Sequence, residues 1–147
     1  MKQVHLVVGI SAIVLNGAAG AYGGWCWWRV KTSLWFWRLM RAAQAVVVLQ
    51  VLLGGVLVAL GTSPHGLHVL YGVLPLLVSL LAEQLRIVSA QMVLDSRGYA
   101  SAEAVGGLPE DEQRGVVVAI VQREIGVMAL SALINLVLLG RAAMTAG

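Results

Sequence analysis

Four apolar runs, at about residues 4–24, 39–61, 67–86 and 116–140, alternate with shorter polar connections along the chain. Each is close to the ~20 residues that a helix needs to cross the hydrocarbon core of a bilayer. With flanking turns included, the pattern predicts helices over about 3–26, 35–61, 65–97 and 109–142. Arg97 and Gly98 supply a stop signal after the third helix. Pro109 opens the last, and Glu110, Asp111 and Glu112 fall in its first turn, where carboxylates suit the positive helix end. The expected fold is all-α: a single membrane domain over residues 1–147, built as a four-transmembrane-helix bundle, with a cytoplasmic extension of its third and fourth helices.

Helical spacing sorts the unusual residues onto faces. In the first helix His5, Gly9, Ala12, Asn16, Gly20 and Gly24 recur at steps of three or four. In the second, Gln50, Gly54, Leu57 and Gly61 share a face; in the third, His68, Gly72, Pro75, Ser79, Ala82 and Arg86 do. Small residues in this pattern, such as Gly20 to Gly24, let membrane helices approach closely. Taken alone the glycines favour such packing; the histidine at the head of the stripe adds a second reading, room for a flat cofactor. Gln50, in lipid, needs a hydrogen-bond partner, and tying neighbouring helices together is its simplest role. Pro75 removes a backbone donor and is expected to kink its helix.

Composition agrees with the pattern. Hydrophobic residues make up 59% of the 147 positions and charged ones only 12%, with a mean hydropathy of +0.86, as in integral membrane proteins. The first run is longer than a signal-peptide core and ends in Gly and Trp without an A-x-A site, so it is expected to be retained. The pI near 9.5 does not point to nucleic acid, because the cations sit beside the apolar runs and form no separate basic domain. Arg29, Lys31, Arg38 and Arg41 flank the first connection, and Arg86, Arg97, Arg114 and Arg123 lie in or beside the third, against Lys2 and Arg141 at the other end. The positive-inside rule then places both termini outside a cell membrane. Trp25, Trp27, Trp28, Trp35 and Trp37 crowd the first connection, as rings anchored at the headgroup level do. Cys26, the one cysteine, has no partner for a disulfide or a metal site.

Ionisable groups near the inner boundary form a second cluster. At 1.5 Å per residue Glu83 lies ~22 Å below His68 and Glu124 ~26 Å below Arg141, bringing Glu83, Arg86, Arg123 and Glu124 to one level. An ion-pair ring is the expected arrangement there, in preference to a proton path.

The histidines carry the candidate chemistry. Ionisable side chains at membrane depth are costly enough to be functional candidates by default. In a bundle with short connections the starts of the first and third helices lie on the same side of the membrane, so His5 and His68 meet at the outer end. Two imidazoles from facing helices hold iron in a buried porphyrin. His65 is a water-facing neighbour, a propionate partner, or the ligand in place of His68 if the turn is shifted. No zinc-type cluster, phosphate loop or Ser-His-Asp set is visible.

The order of features sharpens this reading. His5 at an outer helix end, a basic aromatic connection, Gln50 shortly before Leu53-Gly54, Gly61, and then Gly66-Leu67-His68 resembles one four-helix half-repeat of the haem A synthase family. The loose resemblance runs from His5 to Arg86. It implies haem binding, with His5 and His68 at the paired ligating positions and Gln50 and Gly54 on the helix beside them. The family's acidic residue before the first histidine is replaced by Lys2 and its following arginine by Leu6, so the resemblance implies haem binding and not haem A synthesis. Two such units occur per chain in that family, and a homodimer of this chain would rebuild the pair.

The expected function is a small b-type haem protein in electron transfer or haem handling, with iron held by His5 and His68. The site also includes Gly9, Gln50, Gly54, Gly72 and His65, with Lys2 and Arg141 as the cations nearest the propionates. Whether it is an enzyme is left open, since no catalytic residue stands out. The alternative is a cofactor-free scaffold or accessory subunit that meets a redox or complex partner through the segment 87–115, which is longer than a bundle connection requires. A small multidrug exporter is disfavoured, because the first helix lacks an intramembrane carboxylate.

Overall fold

A computed structural model describes residues 1–146 and is wholly helical apart from its turns. Helix α1 spans Lys2–Trp28, α2 Leu34–Ala59, α3 Gly66–Ser96, α4 Ala102–Gly106 and α5 Glu110–Met144. The four long helices are each long and apolar enough to cross a membrane, and the chain is a membrane protein by that measure. The boundaries expected from the hydropathy pattern hold to within about two residues. The short α4 was not anticipated.

Three of the helix ends share one device. Beyond α2, Gly61 turns to φ +89° while its N–H bonds Val58 and that of Thr62 reaches Leu57. Beyond α3, Gly98 at φ +77° and Tyr99 do the same with Asp95 and Leu94. This is the 6→1 and 5→2 pairing that satisfies terminal carbonyls, and it favours glycine at the left-handed position. At the end of α1 the pairing recurs, Val30 to Trp27 and Lys31 to Cys26, but the left-handed residue is Val30 at φ 51°. The next helix opens on Ser33, whose hydroxyl accepts from Phe36 N–H and pairs with Tyr22.

Helix α5 is the centre of the bundle. In its most apolar window 44% of residues are buried, against 11% in α2, and it packs along both α1 and α3. Ala19, Phe36, Met40, Ala82, Ile125, Met128 and Ala132 form the main core. Gly20 and Gly23 make the α1–α5 approach possible: a Cβ on Gly20 would sit 2.6 Å from Leu133 Cδ2, and one on Gly23 would strike Ala129 at 2.8 Å. Gly24 has nothing within 4 Å, so the close-packing pair is Gly20 with Gly23 and not Gly20 with Gly24. Seam α2–α3 is the loosest between neighbouring helices. Ion pairing closes it at the tryptophan end, and a cavity opens it at the histidine end.

The α3–α5 hairpin outreaches α1 and α2. Gln122 Nε2 bonds the carbonyl of Trp27 at 3.2 Å and Gly126 lies under the Trp27 ring, so the first turns of α5 run past the end of α1. Arg86 stacks over Trp37 at 5.3 Å, and α3 continues beyond it to Ser96. The projecting tip has its own small core: Leu94, Val105 and Val116 are buried together, with Tyr99, Leu108 and Ile120 against them. The connection folds back on this core through α4.

Candidate functional site: a histidine pair in an apolar cavity

The histidine end of the bundle holds a partly open cavity of about 830 Å³, within the range of small-molecule and cofactor pockets. All four long helices contribute. His5, Gly9 and Ile13 come from α1, Gln50, Gly54 and Leu57 from α2, His68 and Gly72 from α3, and Leu139 and Ala142 from α5. Thr62, Ser63 and Pro64, in the α2–α3 turn, line it as well.

Small residues create the space. Nothing lies within 4 Å of a Cβ built on Gly72 or Gly55, so both open directly onto free volume. A Cβ on Gly54 would touch His5 Cε1 at 3.4 Å, and one on Gly9 would press on Gln50 Nε2 at 2.9 Å. The first two glycines therefore leave room for a ligand, while the other two admit the polar side chains that face it.

The ring centroids of His5 and His68 lie 6.1 Å apart, with an angle of 65° between planes. Their hydrogen bonds fix the tautomers. His68 Nδ1 meets the backbone carbonyl of Ala142 at 2.9 Å; a carbonyl only accepts, so Nδ1 carries the proton and Nε2 keeps a lone pair. Gln50 Nε2 lies 3.2 Å from His5 Nε2; an amide NH₂ only donates, so His5 Nε2 is the acceptor and Nδ1 is protonated. His5 Nδ1 and Gln50 Oε1 are buried without a partner. Both imidazoles thus present a basic Nε2, one uncommitted and the other capped by an amide.

The residues singled out in the sequence are distributed unevenly around this pair. Lys2, His5, Gly9, Gln50, Gly54, His65, His68 and Gly72 all line the cavity. His65 is the N-cap of α3, in extended conformation, and is exposed at the cavity rim. Arg141 is not among the lining residues; its guanidinium stacks over Tyr71 at 5.8 Å. Lys2 is therefore the one cation on the cavity wall among the described residues. The wall from α5 was missed, because Leu139 and Ala142 look like ordinary core and Ala142 acts through its carbonyl, which has no side-chain signature.

The polar groups at the other end form a clasp, not a ring. Glu83 accepts from Arg41 and, at 2.9 Å, from Gln44, joining α2 to α3. Arg86 Nε lies 3.3 Å from Glu83 Oε2, close enough for ion pairing though out of hydrogen-bond alignment. Arg123 and Glu124 make no ion pair among the described residues. The expected ring fails because α2 supplies Arg41, a residue whose flanking position reads as a topology signal.

Pro75 leaves α3 uninterrupted. Ser79 Oγ donates to the Pro75 carbonyl at 2.8 Å and accepts from Asn135 Nδ2 at 3.0 Å, with all three residues buried.

Among the described residues no group of three or more His, Cys, Asp and Glu side chains gathers as a metal site. Compared with protein-family models, curated proteins and solved structures, the chain finds no match.

Proposed function

We propose that the chain is a small membrane-embedded b-type haem protein, serving electron transfer or haem handling, with His5 and His68 as axial ligands. The facing imidazole pair in a large apolar cavity carries the reading. His5 and His68, whose ring centroids stand 6.1 Å apart, would hold the iron by their imidazole nitrogens, each about 2 Å from it. The His68–Ala142 hydrogen bond is the outer-shell contact that orients a ligating imidazole and raises its basicity. The unpartnered polar atoms of His5 and Gln50 favour a polar occupant over lipid chains, since such atoms are costly to leave unpaired. An iron porphyrin needs only axial ligands from the protein, and supplies one-electron chemistry when bound. Gly55 and Gly72 leave space for its plane, the wall is mostly aliphatic, and Lys2 offers the propionates a charge-assisted partner.

A reduced-minus-oxidised absorbance spectrum of the purified protein tests this. Haem bands are expected from protein produced with ample haem, and they should be lost or shifted in His5→Ala and His68→Ala. Absent bands sink the proposal; bands unchanged in both variants sink the ligand assignment.

The projecting α3–α5 tip favours a second reading, a scaffold or accessory subunit. Its closed satellite core is a preformed shape on which a partner can dock. Copurification of a stoichiometric partner that is lost when exposed tip residues are changed would support it.

A further inference from the structure

The two imidazoles are held in unequal ways. A backbone carbonyl on the buried face of α5 holds His68 by the nitrogen remote from any bound metal. His5 is held by Gln50 at Nε2, the nitrogen whose counterpart on His68 is free. Gln50 lines the cavity, and its amide occupies space that Gly9 leaves free, since a Cβ there would stand 2.9 Å from Gln50 Nε2. His5 itself sits near the start of α1, its N–H bonded to the Met1 carbonyl at 3.0 Å, and its Nδ1 has no hydrogen-bond partner.

We propose that His68 is the fixed axial ligand and His5 an exchangeable one, so that the site binds a small neutral diatomic molecule on its His5 side when the iron is ferrous. In that exchange the His5 Nε2–iron bond breaks, the incoming ligand's lone pair takes its place, and the Gln50 N–H receives the imidazole lone pair; no electron or proton is transferred. The inference rests on the haem reading, and goes beyond it by giving the site a ligand-binding role and Gln50 the position of a competitor for His5.

Carbon monoxide titration of the dithionite-reduced, haem-loaded full chain in mild detergent tests it, read by absorbance. Wild type should shift its ferrous bands with CO. His5→Ala should keep haem and bind CO on the order of tenfold or more tightly, because the ligand no longer competes with an intramolecular one. Gln50→Leu, which removes the competing donor at nearly constant volume, should weaken CO binding about fivefold, the worth of one hydrogen bond. His68→Ala should lose haem. Ferrous bands unmoved by CO in the wild type, or Gln50→Leu binding CO as well as or better than wild type, overturn the inference while leaving the haem reading intact. Haem retained in His68→Ala but lost in His5→Ala reverses the roles and also overturns it. Absence of haem bands altogether removes both.

Discussion

Asn135 on α5 donates to Ser79 on α3 at 3.0 Å, and both residues are buried. Ser79 passes the interaction on to the Pro75 carbonyl one turn earlier. Polar side chains paired across membrane helices contribute about 0.6 kcal/mol on average and up to about 1.7. Ser79→Ala and Asn135→Ala should each destabilise the bundle, Asn135→Ala by about 2 kcal/mol because it also leaves a cavity. A double-mutant cycle by denaturant titration in detergent should return a coupling of about 1 kcal/mol. Zero coupling would show that the two residues stabilise the bundle independently.

The left-handed residue after α1 yields a stabilising substitution. Val30 occupies the conformation that glycine occupies after α2 and α3, and a β-branched side chain there is strained by roughly 1–2 kcal/mol. Val30→Gly should raise the unfolding free energy by about 1 kcal/mol, part of the relief being offset by the greater entropy of glycine in the unfolded chain. A lowered melting temperature would contradict this.

Gly20 and Gly24 should respond oppositely to the same change. Gly20→Ala drives a methyl group into Leu133 and should cost about 1–3 kcal/mol as overpacking. Gly24→Ala meets open space and should be neutral or slightly stabilising, since alanine is the better helix former. Parallel thermal melts in one detergent separate the two, and equal losses would exclude the observed α1–α5 approach.

At the Glu83 clasp the anion matters more than any one of its cations. Arg41 has 50% of its side chain exposed and Glu83 only 25%. Arg41→Ala should therefore cost less than about 1 kcal/mol. Glu83→Ala releases Arg41, Gln44 and Arg86 together and leaves a half-buried guanidinium without its counter-ion, so its cost should be about 2 kcal/mol or more. Unfolding measurements on the two variants give the order, and a larger loss for Arg41→Ala would reverse the assignment.

The long-range pairing of His5 with His68 was legible because two simple facts determine it: the number of membrane crossings fixes which helix ends share a side, and helical period fixes which face each histidine occupies. Gln50 was legible as a polar residue in need of a partner, and His5 is that partner. Asn135 carries the same signal within an apolar run, yet apart from Ser131 its neighbours along α5 are apolar, so no amphipathic face directs attention to it. Arg41 was hidden for a different reason. A cation at a helix flank serves topology whether or not it also reaches across a seam, and only the relative rotation of α2 and α3 makes it the partner of Glu83. Helix α4, five residues long, is too short for a periodicity to register, and tertiary contact with Leu94 and Val116 is what orders it.

The central place of α5 has a consequence for biosynthesis. This helix leaves the ribosome after the other three spans, yet it is the one against which α1 and α3 bury most of their packed surface. Until it arrives, Ser79 lacks its Asn135 partner and His68 lacks the carbonyl that orients it. The cavity therefore gains its last wall, from Leu139 and Ala142, only when the final span has inserted.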